Sequence, residues 1–232
     1  MDALAVPVIA IDGPAASGKG TVAQGVARIL GFHYLDSGAL YRLVAYSAIG
    51  KGIAWTDATR LGEVAAGLRA VFRDGDIFLS EERVTEAIRS EACSDGASQV
   101  AAVPAVRNEL LQWQRDFRRP PGLVADGRDM GSVVFADATL KVFLTASAEA
   151  RAERRYKQLI DKGITARISV LLQDLRERDA RDASRSVAPL KQYPGVYLLD
   201  TTAMTAGEAV DRVLDWYRGV DQKIGTQRRN AV

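Results

Sequence analysis

The sequence has little of several features, and each shortage excludes a class of protein. It has a single cysteine, Cys93, so no disulfide can form within the chain, and a reducing compartment such as the cytoplasm is expected. Its longest apolar run, residues 3–11, contains Pro7 and is too short to cross a bilayer, which takes about 20 residues. Because Asp2 rather than a basic cluster precedes that run, we expect neither a membrane span nor a secretory signal.

A strong charge of one sign is also missing. The 232 residues carry 31 basic and 29 acidic side chains, a net charge of +2, whereas general nucleic-acid binders have a strong basic bias. We therefore expect no nucleic-acid partner. Lysine is scarce within the basic set, because 24 arginines stand against 7 lysines. Genomic base composition is one explanation, and a site that binds phosphate through planar guanidinium groups is another.

Short apolar runs alternate with helical patterns along the chain. Five runs predict buried strands, at residues 6–12, 32–35, 123–126, 140–145 and 196–200. Helices are predicted at residues 21–30, 37–46, 55–68, 104–119, from 147 onward, at 166–183 and at 205–217. Such alternation is typical of a parallel sheet with helices on both faces. Residues 62–102, with the hairpin signal Asp74-Gly75-Asp76, interrupt it and are interpreted as an insert.

A turn with the spacing of a phosphate-binding loop follows the first predicted strand. It consists of Gly13, Pro14, Ala15, Ala16, Ser17, Gly18, Lys19, Gly20 and Thr21. Its glycines allow backbone N–H groups to surround an anion, and Lys19 can bridge terminal phosphates. The general motif binds Mg²⁺ through a Ser or Thr directly after the lysine, but Gly20 stands there. The Gly-Lys-Gly-Thr ending resembles nucleoside monophosphate kinases, which implies a metal held largely through waters and phosphates. Asp126 is then the candidate partner for those waters.

Polar clusters follow the second and third predicted strands, where ligands bind in sheets of this kind. Ser37, Tyr41 and Arg42 bring a hydroxyl, a phenol and a guanidinium to the start of one helix, and a capping serine with a surface arginine is the alternative. Arg128 offers a fork for phosphate and Asp129 an acceptor for a base or sugar. A structural salt-bridge loop is the alternative for this second pair.

A third cluster lies near the end of the predicted helix 166–183. Arg178, Asp182 and Arg185 share one face at i, i+4, i+7 spacing, a pattern that a solvated, salt-bridged helix also shows. Upstream of residues 159–166, which suit a small mobile lid, lies a basic cluster of Arg151, Arg154, Arg155 and Lys157. The one histidine, His33, is interpreted as a packing residue.

Taken together, these segments resemble bacterial-type cytidylate kinases over nearly the whole chain. The Gly-Arg-Asp-Met-Gly run at 127–131 and the Ser-Gln-Val-Ala segment at 98–101 are specific to that family. The resemblance implies an α/β, three-layer P-loop kinase fold with a central five-stranded parallel sheet, a monophosphate-binding insert with a small antiparallel sheet, and a short lid. It implies one domain over residues 1–225, a monophosphate-binding region at 37–104 with the insert at 62–102, and a lid at 154–168. A frayed polar tail is expected at 219–232.

The resemblance also implies substrates and residue roles. ATP, with Mg²⁺, would donate its γ-phosphoryl group to CMP or dCMP, and ATP would be bound by residues 13–21 with Arg154 and Arg155. Ten residues would bind CMP: Ser37, Tyr41, Arg42, Ser98, Arg107, Arg128, Asp129, Arg178, Asp182 and Arg185. The catalytic set would be Lys19, Arg128, Arg178 and Arg185. We expect a monomer with no partner other than these small molecules.

Other functions stay open from the residues alone. A kinase acting on UMP, AMP or shikimate would use the same phosphate loop. A GTPase-like switch requires an Asn-Lys-x-Asp sequence, but neither asparagine, Asn108 or Asn230, is followed by lysine. A transporter-type ATPase would need its own signature loop, which the sequence lacks. Release of ADP with each monophosphate in turn would separate these alternatives.

Overall fold

The computed structural model describes residues 6–73, 75–161, 163–185 and 187–229, with side chains as far as Gln222. The first elements are β1 (Val8–Asp12), α1 (Lys19–Leu30), β2 (His33–Asp36), α2 (Ser37–Gly50), α3 (Ala58–Ala66), β3 (Ala70–Arg73), β4 (Asp76–Leu79) and β5 (Glu82–Arg83). They are followed by α4 (Glu91–Val100), α5 (Pro104–Asp116), β6 (Leu123–Gly127), β7 (Leu140–Thr145), α6 (Ala148–Asp161), α7 (Ile168–Ser184), β8 (Tyr197–Asp200) and α8 (Ala206–Arg229). The chain divides into two compact units, one of residues 1–35 with 117–232 and one of residues 36–116.

The first unit is built on a five-stranded sheet in the order β2-β6-β1-β7-β8. The pairs of β1 with β6, β1 with β7 and β7 with β8 are parallel, and Asp12 pairs with Gly127. All five strands were predicted, and the order places β1, the strand before the phosphate loop, at the centre. The residues of β1 and β6 are fully buried, as their apolar sequences require.

Helices α1 and α8 pack on this sheet and close its core. Val22 and Val26 of α1 lie with Val213 and Leu214 of α8 in one cluster that also contains Ile9 of β1. Helix α1 ends where predicted, because Gly31 adopts a left-handed conformation. Within the described residues, no helix has an apolar stretch long enough to cross a membrane.

Helix α8 corrects one expectation. The sequence predicted a helix end at Tyr217 and a polar tail from residue 219, but the helix continues to Arg229. Gly219 is not among the glycines with a positive φ angle, so it remains inside the helix at a cost of about 1 kcal/mol relative to alanine. Val220 packs against the core cluster, which favours the continuation. Residues 230–232 of the predicted tail lie outside the described residues.

In its described residues, the second unit has four α-helices, a short 3-10 helix at Ala87–Arg89 and a small antiparallel sheet. The sheet has the order β3-β4-β5, so the expected hairpin is present and β5 extends it by a third strand. Asp74 of the hairpin signal lies outside the described residues. Helix α4 was not predicted, although Ser90 caps it by accepting from the Cys93 N–H and Cys93, Ala97 and Val100 form its buried face.

The start of α2 differs from the serine cap considered above. Asp36 is the N-cap, because its carboxylate accepts a hydrogen bond of 3.1 Å from the Ala39 N–H. Ser37 therefore lies one position inside the helix, where it is buried. The alternative of a capping serine is wrong, since the residue before it has both the extended backbone and the acceptor that a cap needs.

Candidate active site

The phosphate loop has the backbone that an anion cradle requires. Gly18 has a φ angle of 91°, and Ala16 adopts a φ of 56°, an uncommon and strained value for alanine. A Cβ at Gly13 would overlap the carbonyl oxygen of Leu144, so only glycine fits at the end of β1. Lys19 lies in the first turn of α1, and its Nζ donates to the Pro14 carbonyl at 3.3 Å. The backbone of the loop is thus held in a specific conformation, and the Lys19 side chain folds back onto it.

Two arginines of α6 hold the phosphate loop by its carbonyl groups. Arg151 is almost fully buried, donates to the Ala15 carbonyl at 3.1 Å, and forms a two-pronged ion pair with Asp179 of α7. Arg154 donates to the Ser17 carbonyl at 3.1 Å and to the Thr201 hydroxyl at 3.2 Å. Both arginines were noted in a basic cluster, and the resemblance assigned Arg154 to ATP binding. Their contacts with the loop were not predicted, because the carbonyl groups that they bind are more than 130 residues away.

Arg154 and Arg155 lie on α6, in the segment expected to form a lid. Arg154 is at the phosphate loop, where its Nη1 would be 3.8 Å from a Cβ built on Gly18. Arg155, the next residue, is half-buried. The rest of the expected lid contains the end of α6, a turn in which Gly163 donates to the Ile160 carbonyl, and the start of α7.

Asp126 is a buried carboxylate beside the first turn of α1. The Tyr34 hydroxyl donates to its Oδ1 at 2.7 Å, and a Cβ built on Gly20 would lie 3.9 Å from the same oxygen. Carboxylate oxygens suit Mg²⁺. Within the residues that the structure describes, no group of three or more acidic, histidine or cysteine side chains could hold a metal. Asp126 is thus a carboxylate that could take part in holding a metal beside the phosphate loop.

The predicted arginine cluster is present in the first unit, arranged around Asp182. This carboxylate is 3% exposed and accepts from Arg128 Nε at 2.7 Å. Burial would raise the pKa of Asp182, but Arg128, Arg185 and Arg178 together hold it below its usual value. The structure thus brings four predicted residues together. Because Asp182 is buried, a fully solvated helix face does not describe this cluster.

Asp12 is a buried carboxylate that the sequence reasoning missed. Its two oxygens accept from the backbone N–H groups of Met130 and Gly131, at 2.8 and 2.9 Å. Burial, with a smaller contribution from the nearby Asp129 carboxylate, raises the pKa of Asp12 to about 7 even though the two hydrogen bonds oppose the shift. Asp129 itself is buried. The signal available in the sequence was an acidic residue ending an otherwise apolar strand.

The other predicted acceptor residues lie in the second unit. Ser37 and Tyr41 are buried on α2, and Arg42 reaches back to Asp36 at 3.5 Å. The guanidinium of Arg107 lies 5.9 Å from the centre of the Tyr41 ring and donates to the Ala101 carbonyl. The remaining predicted residue, Ser98, is buried on α4. Of this set, the structure places Tyr41 and Arg107 in contact.

Solved structures support the fold. A gluconokinase from Sinorhizobium meliloti matches with a TM-score of 0.50 and 16% identity, covering 96% of this chain and 98% of the other. An uncharacterized protein from Eubacterium ventriosum matches with a TM-score of 0.53 and 11% identity, covering 92% of this chain and 99% of the other. At these identities the likeness concerns the fold alone, and the first of them is a kinase.

Sequence comparisons identify the family. The family model described as cytidylate kinase matches residues 9–219. A cytidylate kinase of Chromobacterium violaceum is 60% identical over 214 residues, 92% of this chain and 96% of the relative. One of Nitrosomonas europaea is 55% identical over 217 residues, 94% of this chain and 97% of the relative. With a family match over most of its length and relatives this similar, the chain belongs to the cytidylate kinase family of enzymes.

Proposed function

We propose that this chain transfers the γ-phosphoryl group of ATP to CMP or dCMP, giving ADP and CDP or dCDP. The observation that carries the proposal is the buried Asp182 with Arg128, Arg178 and Arg185 around it. Three guanidinium groups beside one buried carboxylate leave an excess of positive charge, which a dianionic phosphate would balance. Family membership gives the same activity.

On the donor side, residues 13–21 bind the phosphates of ATP. The backbone N–H groups of a loop with this conformation, with the N-terminal end of α1, attract negative charge. Lys19 binds the β- and γ-phosphates and stabilises the negative charge that develops on them during transfer. Arg154 keeps the Ser17 carbonyl in place, and we propose that Arg154 and Arg155 also contact ATP.

On the acceptor side, we assign three functions to the predicted residues. The cytosine or the sugar is contacted by Ser98, Asp129 and Asp182. The phosphate is bound by Arg42, Arg107, Arg128 and Arg185, with Arg178 next to them. Ser37 and Tyr41 shape the pocket, and the contact of Tyr41 with Arg107 supports a shared role for these two.

Catalysis consists of positioning and charge neutralisation. A nucleoside monophosphate with a second pKa near ~6 is mostly dianionic at neutral pH and already a nucleophile, so no protein base has to remove a proton. Lys19, Arg128, Arg178 and Arg185 stabilise the charge on the phosphoryl oxygens as the group moves in line. His33, whose Nε2 lies 2.9 Å from the Pro120 carbonyl oxygen, takes no part.

Mg²⁺ is the proposed metal, bound with ATP. When bound, it would neutralise charge on the β- and γ-phosphates. Asp126 would hold it through water, because the residue after Lys19 is Gly20 and offers no hydroxyl. Tyr34 keeps the Asp126 carboxylate oriented through its hydrogen bond of 2.7 Å.

We further propose that the enzyme acts as a monomer in the cytoplasm on these small molecules, with no nucleic-acid or membrane partner. The single buried cysteine fits a reducing compartment. The low net charge of +2 gives no support to a polyanionic partner.

The test is the release of ADP from Mg·ATP with one monophosphate at a time. CMP and dCMP should each give ADP and the corresponding diphosphate at rates at least about tenfold above UMP, AMP and GMP, a discrimination that one lost polar contact can supply. Faster turnover with UMP or AMP would assign another acceptor, and steady ADP release without any monophosphate would indicate a nucleotide switch instead.

A further inference from the structure

The carboxylate of Asp12 connects two loops that the proposed reaction uses. Asp12 is the last residue of β1 and directly precedes the phosphate loop. Both of its oxygens are occupied, Oδ1 by the Met130 N–H and Oδ2 by the Gly131 N–H. Its backbone pairs with Gly127 in the sheet. One residue therefore contacts both ends of the segment 127–131, which we call the acceptor loop.

The acceptor loop is also closely packed at Gly131. A Cβ on Gly131 would overlap the Tyr193 hydroxyl oxygen and would lie 3.2 Å from Lys141 Cγ and 3.3 Å from Ala10 Cβ. Lys141 is itself held, since its Nζ donates to the Ala136 carbonyl at 2.6 Å and lies 5.8 Å from the centre of the Tyr193 ring. A side chain at position 131 would therefore displace its neighbours, and only glycine fits beside the Asp12 carboxylate.

A carboxylate is a costly choice for this position. Asp12 is completely buried, and burying an ionisable group without full compensation destabilises the folded state. The raised pKa of Asp12 is the signature of that cost. An asparagine or a small apolar residue would pack there at lower cost, but an apolar residue offers no acceptor. An asparagine replaces one of the two oxygens by an NH₂ donor, so it cannot offer a separate oxygen to each backbone N–H as Asp12 does. The position of the loop is the feature that only the carboxylate preserves.

We propose that Asp12 is a positioning residue, which orients Arg128 and Asp129 toward the monophosphate by fixing the acceptor loop at Met130 and Gly131. Asp129 immediately precedes the two held amides, and Arg128 is already directed by its hydrogen bond to Asp182. Asp12 itself touches no substrate. The substrate in this inference is CMP, so that part rests on the proposed function, whereas the holding of the loop does not.

The experiment compares Asp12→Ala and Asp12→Asn with the wild type. Loss of both acceptors in Asp12→Ala should raise KM for CMP about 10- to 100-fold, as expected for a displaced binding loop, and leave KM for ATP within about 2-fold. Asp12→Asn retains one acceptor and should fall between the two. Matched controls are Asp137→Ala and Asp137→Asn, which remove an exposed carboxylate paired with Arg118 and should change neither KM.

Amide hydrogen exchange provides a readout that does not depend on activity. In the wild type, the Met130 and Gly131 amides should be protected, and in Asp12→Ala they should exchange at least about tenfold faster while the β7 amides stay protected. Unchanged protection in Asp12→Ala, or equal increases in both KM values, would overturn the inference. If the wild type does not phosphorylate CMP but the variant loses protection, the proposed substrate is wrong and the holding of the loop stands. If Asp12→Ala does not fold, Asp12→Asn serves for both measurements.

Discussion

The loop after β1 and the loop after β6 end neighbouring strands of one sheet but are stabilised in different ways. The phosphate loop, residues 13–21, is defined by its own backbone, with left-handed or strained residues at Ala16 and Gly18. The acceptor loop, residues 127–131, depends on carboxylates from elsewhere in the chain, since Asp12 binds its amides and Asp182 binds Arg128. The backbone conformation of the phosphate loop is thus local, although Arg151 and Arg154 donate to its carbonyl groups. The acceptor loop, by contrast, is held at its amides and at Arg128 by distant carboxylates.

This difference determines how each loop should respond to mutation. A backbone cradle binds phosphate through many N–H groups, so a single side chain can be removed without loss of its shape. A loop held by two remote carboxylates loses its geometry when either is removed, because the arginine and amide groups are then left without acceptors. Substitutions in the phosphate loop should therefore affect chemistry, and substitutions at the remote supports should affect binding of one substrate.

Removal of the Lys19 charge should have the largest effect on turnover. In Lys19→Ala we expect kcat to fall at least about 10³-fold, because the γ-phosphoryl group loses its mobile counter-charge, while the thermal unfolding midpoint stays close to that of the wild type. Steady-state kinetics and thermal unfolding measure the two quantities. Lys51→Ala, which removes an exposed lysine at the end of α2, is the control. Near-normal turnover of Lys19→Ala would mean that the backbone cradle is sufficient.

Removal of the Asp182 carboxylate should have the next largest effect, and it should be selective. In Asp182→Ala, Arg128 loses its partner at 2.7 Å, and we expect kcat/KM for CMP to fall about 10²-fold with KM for ATP within a few-fold. The control is Glu149→Ala, which removes an exposed carboxylate paired with Arg176 at 3.0 Å. Equal losses for ATP and CMP would contradict the assignment of the arginine cluster to the acceptor.

The same carboxylate predicts a pH dependence of stability. The pKa of Asp182 lies below its usual value because Arg128, Arg185 and Arg178 outweigh burial, so the folded state favours the charged form. The stabilisation by the ionised Asp182 carboxylate is complete above its pKa in the unfolded chain, about 3.9, and is lost as the pH falls through its pKa in the folded protein. We therefore expect the free energies of unfolding of wild type and Asp182→Asn, measured by chemical unfolding between pH 7 and pH 3, to become more similar at the lowest pH.

The effect of Asp12 on the pH dependence of stability should have the opposite sign. Its folded pKa of about 7 is raised, so the folded protein binds a proton that the unfolded chain releases above about pH 4. The wild type should therefore lose stability relative to Asp12→Asn as the pH rises from about 4 to 7. The stability difference between wild type and Asp12→Asn should thus change with pH in the direction opposite to that between wild type and Asp182→Asn. If both differences change in the same direction, the two buried carboxylates are not in the different environments described above.

The contrast between the loops also explains what could be predicted from sequence. All five strands of the parallel sheet and the phosphate loop follow from short local patterns, because glycines and apolar runs fix the backbone where they stand. The acceptor loop was recognised by its residues, but Asp12 was not, since nothing local shows that its oxygens reach amides 118 and 119 residues away. Arg151 was noted as a member of a basic cluster, but its contact with the Ala15 carbonyl was missed for the same reason.

Element ends were misjudged where a residue type has two uses. The polar tail was expected to begin at Gly219, yet Gly219 lies inside α8, whereas Gly31 does end α1. Ser37 was considered as a cap, yet Asp36 provides it. In each case the end of the helix is determined by packing or by a backbone angle, neither of which the residue type alone determines.

The smallest predicted effect concerns Tyr34, a support of the phosphate side that is as remote as those of the acceptor loop. Tyr34→Phe removes the hydrogen bond to Asp126 Oδ1, and we expect the Mg²⁺ concentration at half-maximal rate to rise up to about 10-fold, with KM for CMP unchanged. A titration of activity with Mg²⁺ at fixed ATP measures it. Tyr46→Phe, which loses only an exposed contact of 3.5 Å to Glu82, is the control. If the Mg²⁺ titrations of wild type and Tyr34→Phe coincide, Asp126 does not need this orientation, and the phosphate side is local in its metal binding as well as in its backbone.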